Sequence, residues 1–225
     1  DQRSDNYSTL ARLDWQLGED HSLMLRGNYQ GSQQDGFRTR ALAVPSYGGE
    51  QSGSGGGALA TLSSVFGTYL NELRASWSRD QRHGDPYVFV PEGQVRVASD
   101  LMDGTSGVST VVFGGNPGLP TAGTNSQLSV SNELSLLNFA GHRYKLGGQL
   151  DYRSFQTASS RNASGSYGYN SLADFANNDP ASYTRTLSTT DRRGTSLDAG
   201  AYLGDTWRRG RALQLTYGAR VEYSA

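Results

Sequence analysis

The sequence predicts an all-β chain: a segment of an antiparallel transmembrane β-barrel, about eight strands arranged as four up-and-down hairpins. Three observations carry this. Apolar and polar side chains alternate with a two-residue period over runs longer than soluble strands usually reach. No stretch approaches the roughly 18 consecutive apolar residues of a spanning helix. Short turns alternate strictly with long glycine-rich connections, so every long connection leaves the same end of the sheet.

The alternation is clearest from Leu197 to Tyr223. Leu213, Leu215, Tyr217, Ala219, Val221 and Tyr223 fall on one side, and Gln214, Thr216, Gly218, Arg220 and Glu222 on the other. The preceding run sets Leu197, Ala199, Ala201 and Leu203 against Asp198, Gly200, Tyr202 and Gly204, finishes at Trp207 and turns at Arg208–Arg211. At roughly 3.3 Å per residue the Leu213–Tyr223 run is about 36 Å long, and at a tilt near 45° it rises about 25 Å, the height of an outer-membrane apolar band. A one-residue slip would turn Arg220 and Glu222 to the apolar side, where Arg at mid-depth costs roughly 2–4 kcal/mol, so one register is strongly favoured.

These residues also carry a family resemblance. The stretch "AYLGDTWRRGRALQLTYGARVEY" resembles the barrel hairpins of TonB-dependent outer-membrane receptors, particularly the Oar-like group. There an aromatic-x-x-Asp-x-Trp strand end precedes a short turn and a Leu-x-Leu-x-x-Gly-x-Arg-x-Glu strand; Tyr202, Asp205, Trp207, Leu213, Leu215, Gly218, Arg220 and Glu222 match it. The segments Asn132–Tyr152 and Ser171–Arg185 agree with it as well. The resemblance implies a barrel of about 22 strands around a plugged lumen, of which this chain would supply roughly a third. It also implies partners outside the chain: the remainder of the barrel, a plug domain, the TonB complex and an unidentified small ligand.

Taken from its start, the chain opens with Tyr7, Thr9, Ala11, Leu13, Trp15 and Leu17 alternating with polar residues, Leu10 being the exception. After a turn at Gly18–His21, Leu23, Leu25, Gly27 and Tyr29 return. Residues 31–57 show no alternation and read as a long loop. Their "GSGGG" at Gly53–Gly57 lacks the Lys-Ser/Thr and following helix of a phosphate-binding loop. Ala58–Val65, a turn near Gly67, and Asn71, Leu73, Ala75 and Trp77 form the second pair. A second long loop, 80–125, is expected to contact ligand. Leu128, Val130, Leu134 and Leu136 follow, with Asn132 out of phase, then a turn at Asn138–Gly141 and the run Tyr144, Leu146, Gly148, Leu150, Tyr152. The third loop, 157–194, holds a short helix at Ser171–Asn177 stopped before Pro180, and Thr184–Thr189 is expected to extend the last descending strand.

Composition excludes several classes. The chain has 225 residues, 35% hydrophobic, 29 glycines, 13 tyrosines, no cysteine and a formal charge of −1. There is no disulfide framework or thiolate chemistry, and scattered basic residues at near-zero net charge leave no nucleic-acid footprint. Asp1–Asn6 lacks the charged-then-apolar order of a signal peptide, as expected of a mature or partial exported chain. His21, His83 and His142 lie in separate turns or loops without ligand spacing and read as ordinary exposed histidines. Asp100 and Asp103 lack the order of a calcium loop. No G-x-S-x-G elbow accompanies the serines, and Asp85 and Glu92 read equally well as loop solubility residues. No enzyme activity, metal or cofactor is expected.

The candidate site is the polar side of the wall. Arg12, Asp14, Arg26, Glu133, Lys145, Asp151, Arg153, Arg220 and Glu222 are its lumen-facing candidates, either lining a wet lumen or, the preferred reading, pairing with one another. Trp15 and Trp207 near the short-turn ends, and Tyr29, Trp77 and Tyr152 towards the other, are candidates for two interfacial aromatic girdles, with Tyr223 a further interface candidate. Location in the outer membrane, in contact with its lipid, follows, with short turns periplasmic and long loops extracellular. Two alternatives stand at this point. One is a small closed porin- or adhesin-like barrel; the other is a soluble secreted β-sandwich whose loops bind glycans, which would bury the Leu213–Tyr223 apolar row against a second sheet.

Overall fold

The computed structural model describes residues 3–37, 40–100, 102, 104–210 and 212–225. Its elements are β1 (Ser4–Gln16), β2 (His21–Phe37), β3 (Gly49–Phe66), β4 (Tyr69–Pro86), β5 (Glu92–Asp100), β6 (Ser106–Gly114), β7 (Thr121–Phe139), β8 (His142–Ser159), β9 (Ser166–Tyr169), α1 (Leu172–Ala176), β10 (Ser182–Thr184), β11 (Thr190–Arg209) and β12 (Leu213–Ser224). Eight of them build one sheet, β1-β2-β3-β4-β7-β8-β11-β12, antiparallel throughout. The sheet does not close on itself: β1 and β12 are its two edges. The four short strands form a second sheet, β10-β9-β5-β6.

Register makes the two faces of the large sheet chemically distinct. Leu13, Leu25, Ala60, Ala75, Val130, Leu150, Ala199 and Tyr223 face one another in an unbroken row across all eight strands. One residue along, on the opposite face, the row reads Arg12, Arg26, Leu59, Ser76, Ser129, Asp151, Asp198 and Ser224. The apolar row is not covered by a second sheet. Leu13 is 55% exposed and Val221 75%, so the sandwich alternative fails. A soluble sheet would not leave so large a contiguous apolar surface open, whereas in hydrocarbon that surface is satisfied.

The turns show how the wall is inclined. Counted from the row that joins Trp15, Leu23, Leu62, Leu73, Gly148, Ala201 and Val221, the strand ends at His21, Phe66, His142 and Arg209 each lie two residues beyond the one before. Two residues of about 3.3 Å against two interstrand spacings of about 4.8 Å give a tilt of about 35°, within the roughly 35–45° of outer-membrane barrels.

The strands run further than alternation indicates. The predicted loops 31–57, 80–125 and 157–194 contract to 38–48, 87–120 and 160–189, because β2, β3, β4, β7, β8 and β11 continue past the apolar band. Hydropathy misses these extensions because Gly, Ser, Gln and Thr carry no contrast between faces; the ladder is kept by pairing on both sides. The Gly53–Gly57 run is thus mid-strand, paired to β2 and β4. At about 3.3 Å per residue and the tilt above, the 18-residue β3 rises about 49 Å, roughly twice a 25 Å apolar band. The excess projects on the side of the long connections. Thr184–Thr189 does not extend the descending strand: β11 begins at Thr190, and Ser182–Thr184 belongs to the second sheet. The helix is Leu172–Ala176, with the Ser171 hydroxyl accepting from the Asp174 N–H as an N-cap. Asp103 and Arg211 lie outside the described residues.

The out-of-phase Asn132 has a physical answer. It shares the apolar face with Asn71, and the two side-chain amides bond reciprocally at 3.0 and 3.1 Å while also reaching the carbonyls of Glu133 and Glu72. A self-satisfied amide pair is tolerated where a lone amide would be costly.

The buried core lies outside the large sheet. Tyr47 (1% exposed), Val95, Val112, Leu119 and Tyr169 are its apolar members, and all come from the connections. Loop 38–48 is stitched to β6 by a parallel bridge, Ala43 to Val112, with Val44 N–H donating to Val112 O and Val112 N–H to Leu42 O. Parallel pairing of β5 with β9 joins the second connection to the third. The three connections therefore fold into one cap at the end opposite the tight turns.

Candidate functional site

The nine charged candidates all lie on the polar face, in three groups. At the β1 edge Arg12 pairs with Asp14 at 2.8 Å, while Arg26, directly opposite Arg12, makes no ion pair among the described residues. In the middle, Lys145 Nζ lies 2.6 Å from Glu133 Oε1, Arg153 lies 3.5 Å from Asp198, and Asp151 accepts from the Ser129 hydroxyl at 2.5 Å. At the β12 edge Arg220 Nε donates to Glu222 at 2.5 Å. Pairing therefore accounts for most of them, and at such exposure each pair adds only about 0–1 kcal/mol.

One residue of this face was missed in the sequence. Tyr202 faces Gly147, and its ring lies across that glycine, where a Cβ would collide with it, so that the hydroxyl donates to Glu133 Oε2 at 2.5 Å, two strands away. Arg220 faces Tyr202 from the other side. Glu133, Tyr202 and Arg220 thus form a cross-strand polar line. Only the glycine opposite a tyrosine hints at it, since cross-strand partners are fixed by register and not by neighbourhood in sequence.

The six aromatic candidates all lie on the apolar face. Tyr29 sits 6.0 Å from Tyr7, and Trp77 and Tyr152 both face Leu128. Trp15 faces Leu23, and Tyr223 faces Ala199 near the long-connection end of β12. Trp207 stacks on His142 at 6.0 Å, and His142 on Tyr144 at 5.4 Å. This stack corrects the reading of His142 as an ordinary exposed histidine. Its Nδ1 lies 2.6 Å from Asp205 Oδ2, which also accepts from the Tyr217 hydroxyl at 2.7 Å. Asp205 is only 4% exposed although it lies on the apolar face. Polar partners and a roof of rings let a carboxylate stay there. His83 pairs separately with Asp85 at 2.8 Å. Among the described residues no three His, Cys, Asp or Glu side chains converge on a metal-sized site.

Glu92 also departs from expectation: it is 3% exposed and is not a solubility residue. The Tyr47 hydroxyl donates to its Oε1 at 2.9 Å and the Gln94 amide to its Oε2 at 3.0 Å. Tyr47 stands in the turn Pro45–Tyr47, so this bond clamps the first connection onto β5. Burial, reinforced by the bond to Glu92 and its charge, pushes the Tyr47 phenol up from 10 to about 12. The folded cap thus holds that proton more tightly than the unfolded chain does. Its contribution is complete below pH 10 and is lost between about 10 and 12. Tyr47→Phe is expected to weaken the cap by about 1–3 kcal/mol, since Glu92 stays buried with one donor fewer. Faster amide exchange at Glu92 and Val112, with the strands of the large sheet unaffected, is the result to look for.

An open, inclined, antiparallel wall with one apolar face, one charge-paired face, tight turns at one end and a folded cap at the other is the architecture of an outer-membrane barrel. The chain belongs to the outer membrane beta barrel domain family, whose model matches residues 1–225. The protein resides in the outer membrane of a Gram-negative bacterium. Among solved structures it is similar to the outer-membrane transporter YddB of Escherichia coli, with TM-score 0.67 and 14% identity over 99% of this chain and 28% of that one. It is also similar to FpvA of Pseudomonas aeruginosa bound to heterologous pyoverdines (TM-score 0.60, 14% identity, 99% of this chain, 30% of that one). The ferric preacinetobactin receptor BauA of Acinetobacter baumannii gives TM-score 0.57 at 14% identity over 100% of this chain and 35% of that one. No curated protein matches in sequence. At these identities the likeness is one of fold: the chain has the form of part of an outer-membrane barrel and spans about a third of the length of those it resembles.

Proposed function

We propose that this chain is part of a single barrel domain of a receptor that takes up a ligand across the outer membrane in the manner of TonB-dependent receptors. The polar face lines the lumen, the apolar face meets lipid, and the two interfacial girdles are Trp15 and Trp207 on the periplasmic side and Tyr29, Trp77, Tyr152 and Tyr223 on the outer side. The edges β1 and β12 pair with the remaining strands, since unpaired backbone in hydrocarbon costs several kcal/mol per group. A plug domain and the TonB complex are partners beyond these residues. The role is binding and passage, not catalysis.

One observation supports this reading above the others: the three long connections fold on one another around their own core at one end of the wall. A cap of that kind holds ligand-contacting side chains in fixed relation, as a receptor requires. Two of the similar structures are named for pyoverdine and ferric preacinetobactin, which puts iron chelates first among ligands to try. Cells expressing the full-length protein should accumulate one labelled ligand from a panel of ferric siderophores, cobalamin, glycans and peptides. That accumulation should stop when the gene is deleted or the proton gradient is collapsed. Accumulation indifferent to the gradient would exclude the energised mechanism.

A further inference from the structure

The geometry points to an oxyanion-binding site at the junction of the three connections, with the guanidinium groups of Arg40 and Arg161 as its donors. This deepens the uptake reading by giving the ligand a chemical class, a carboxylate or phosphate group, and rests on that reading only for the direction of delivery.

A cavity of about 390 Å³ opens between the first connection (Arg40, Tyr47), the second (Pro117) and the third (Arg161, Asn162, Ser166). Most of its lining is already committed. The Tyr47 hydroxyl is held by Glu92, Ser166 donates to the Asn162 side-chain carbonyl at 2.8 Å, and the Asn162 amide reaches Thr184 O at 3.2 Å. The two arginines are not: among the described residues neither makes an ion pair or a side-chain hydrogen bond, and no carboxylate lines the cavity. On the large sheet Arg12, Arg153 and Arg220 pair with acids, whereas Arg26, like these two, does not among the described residues.

Arg40 has a ring beneath its guanidinium, and the backbone that carries Arg161 is held in place. Arg40 lies 5.5 Å from the centre of the Tyr47 ring, and that ring is the most deeply buried side chain of the cap. Arg161 sits in a turn fastened by Asn162 N–H to Pro117 O at 2.6 Å and Ser160 N–H to Pro120 O at 3.3 Å. Two permanently charged guanidinium groups thus line one polar cavity that holds no carboxylate in its lining, Glu92 behind Tyr47 being held by Tyr47 and Gln94, and guanidinium binds carboxylate or phosphate bidentately. The cavity exceeds a bare anion and has room for the body of a small organic acid or a phosphorylated sugar.

The test uses the full-length protein, purified in detergent and titrated with inorganic phosphate by calorimetry. A parallel titration uses nanodiscs with or without lipopolysaccharide, whose lipid phosphates are the other source of the same chemistry. Saturable phosphate binding that falls at least tenfold in the double variant Arg40→Gln/Arg161→Gln, and less in Arg40→Lys/Arg161→Lys, supports a soluble ligand. Binding confined to lipopolysaccharide discs and lost in the same variant supports the lipid source. Equal affinity in native and double-variant protein, or no binding of either probe by the native protein, overturns the site. Unchanged heat-modifiable migration establishes that the variants assemble. Loss of uptake with binding intact would remove the transport reading alone, and the reverse would remove the site alone.

Discussion

Leu150→Arg is expected to prevent stable insertion of the wall. Leu150 is the sixth of the eight residues in the apolar row from Leu13 to Tyr223, 45% exposed, between Val130 of β7 and Ala199 of β11. In hydrocarbon a guanidinium costs roughly 2–4 kcal/mol at the midplane and less towards the interfaces, and Leu150 lies between the two, one apolar position inside Tyr152. No acid on the same face lies in the neighbouring rows to compensate, since Asp205 lies near the short turns under its own roof of rings. Gln149→Arg, one position away, turns the same charge to the face that already holds Asp151 and Lys145. Its cost should stay within about 0.5 kcal/mol, as for an ordinary exposed site. Urea titration of the full-length protein folded into lipid vesicles measures both. Equal costs for the two substitutions would mean that the faces do not differ in environment.

Removing the second connection is the other large effect. The excision must run from Tyr87 to Pro120, because Asp80–Pro86 belongs to β4 and Thr121–Asn125 to β7, and a cut through them would break the wall itself. Excising 87–120 deletes β5 and β6, and with them the partner of β9, the bridge from Val112 to Ala43, and the buried Val95, Val112 and Leu119. The cap then has no core, and the first and third connections lose their common support. With a short Gly-Ser link in its place, the barrel should assemble and ligand uptake should be abolished. Undiminished uptake would remove the cap from the mechanism.

The wall was readable from sequence because a bilayer imposes a period of two on every strand that crosses it. Each of the eight crossings, and the face occupied by every charged and aromatic candidate from Arg12 to Tyr223, follows from that one constraint. The cap was not readable. Its sheet joins Glu92–Val95 to Ser166–Tyr169, segments far apart in sequence, and its strands are short and rich in residues that signal loops. Its key clamp joins a tyrosine and a glutamate that look like surface residues until Tyr47 and Glu92 are seen buried together. The two polar intrusions on the apolar face, Asn132 and Asp205, were illegible for a related reason. Each is tolerated only through a partner on another strand: Asn71 for the first, His142 and Tyr217 for the second.

The most direct test of the wall uses the absence of cysteine from this chain. Single cysteines placed along β12 from Leu213 to Glu222 in the full-length protein, labelled with a small fluorophore, can be read for quenching by brominated lipid. Quenching should be strong at positions 213, 215, 217, 219 and 221 and weak at 214, 216, 218, 220 and 222. Quenching that ignores this two-residue period, or that peaks at the even positions, would contradict a wall with hydrocarbon on its leucine face and water or protein on the other.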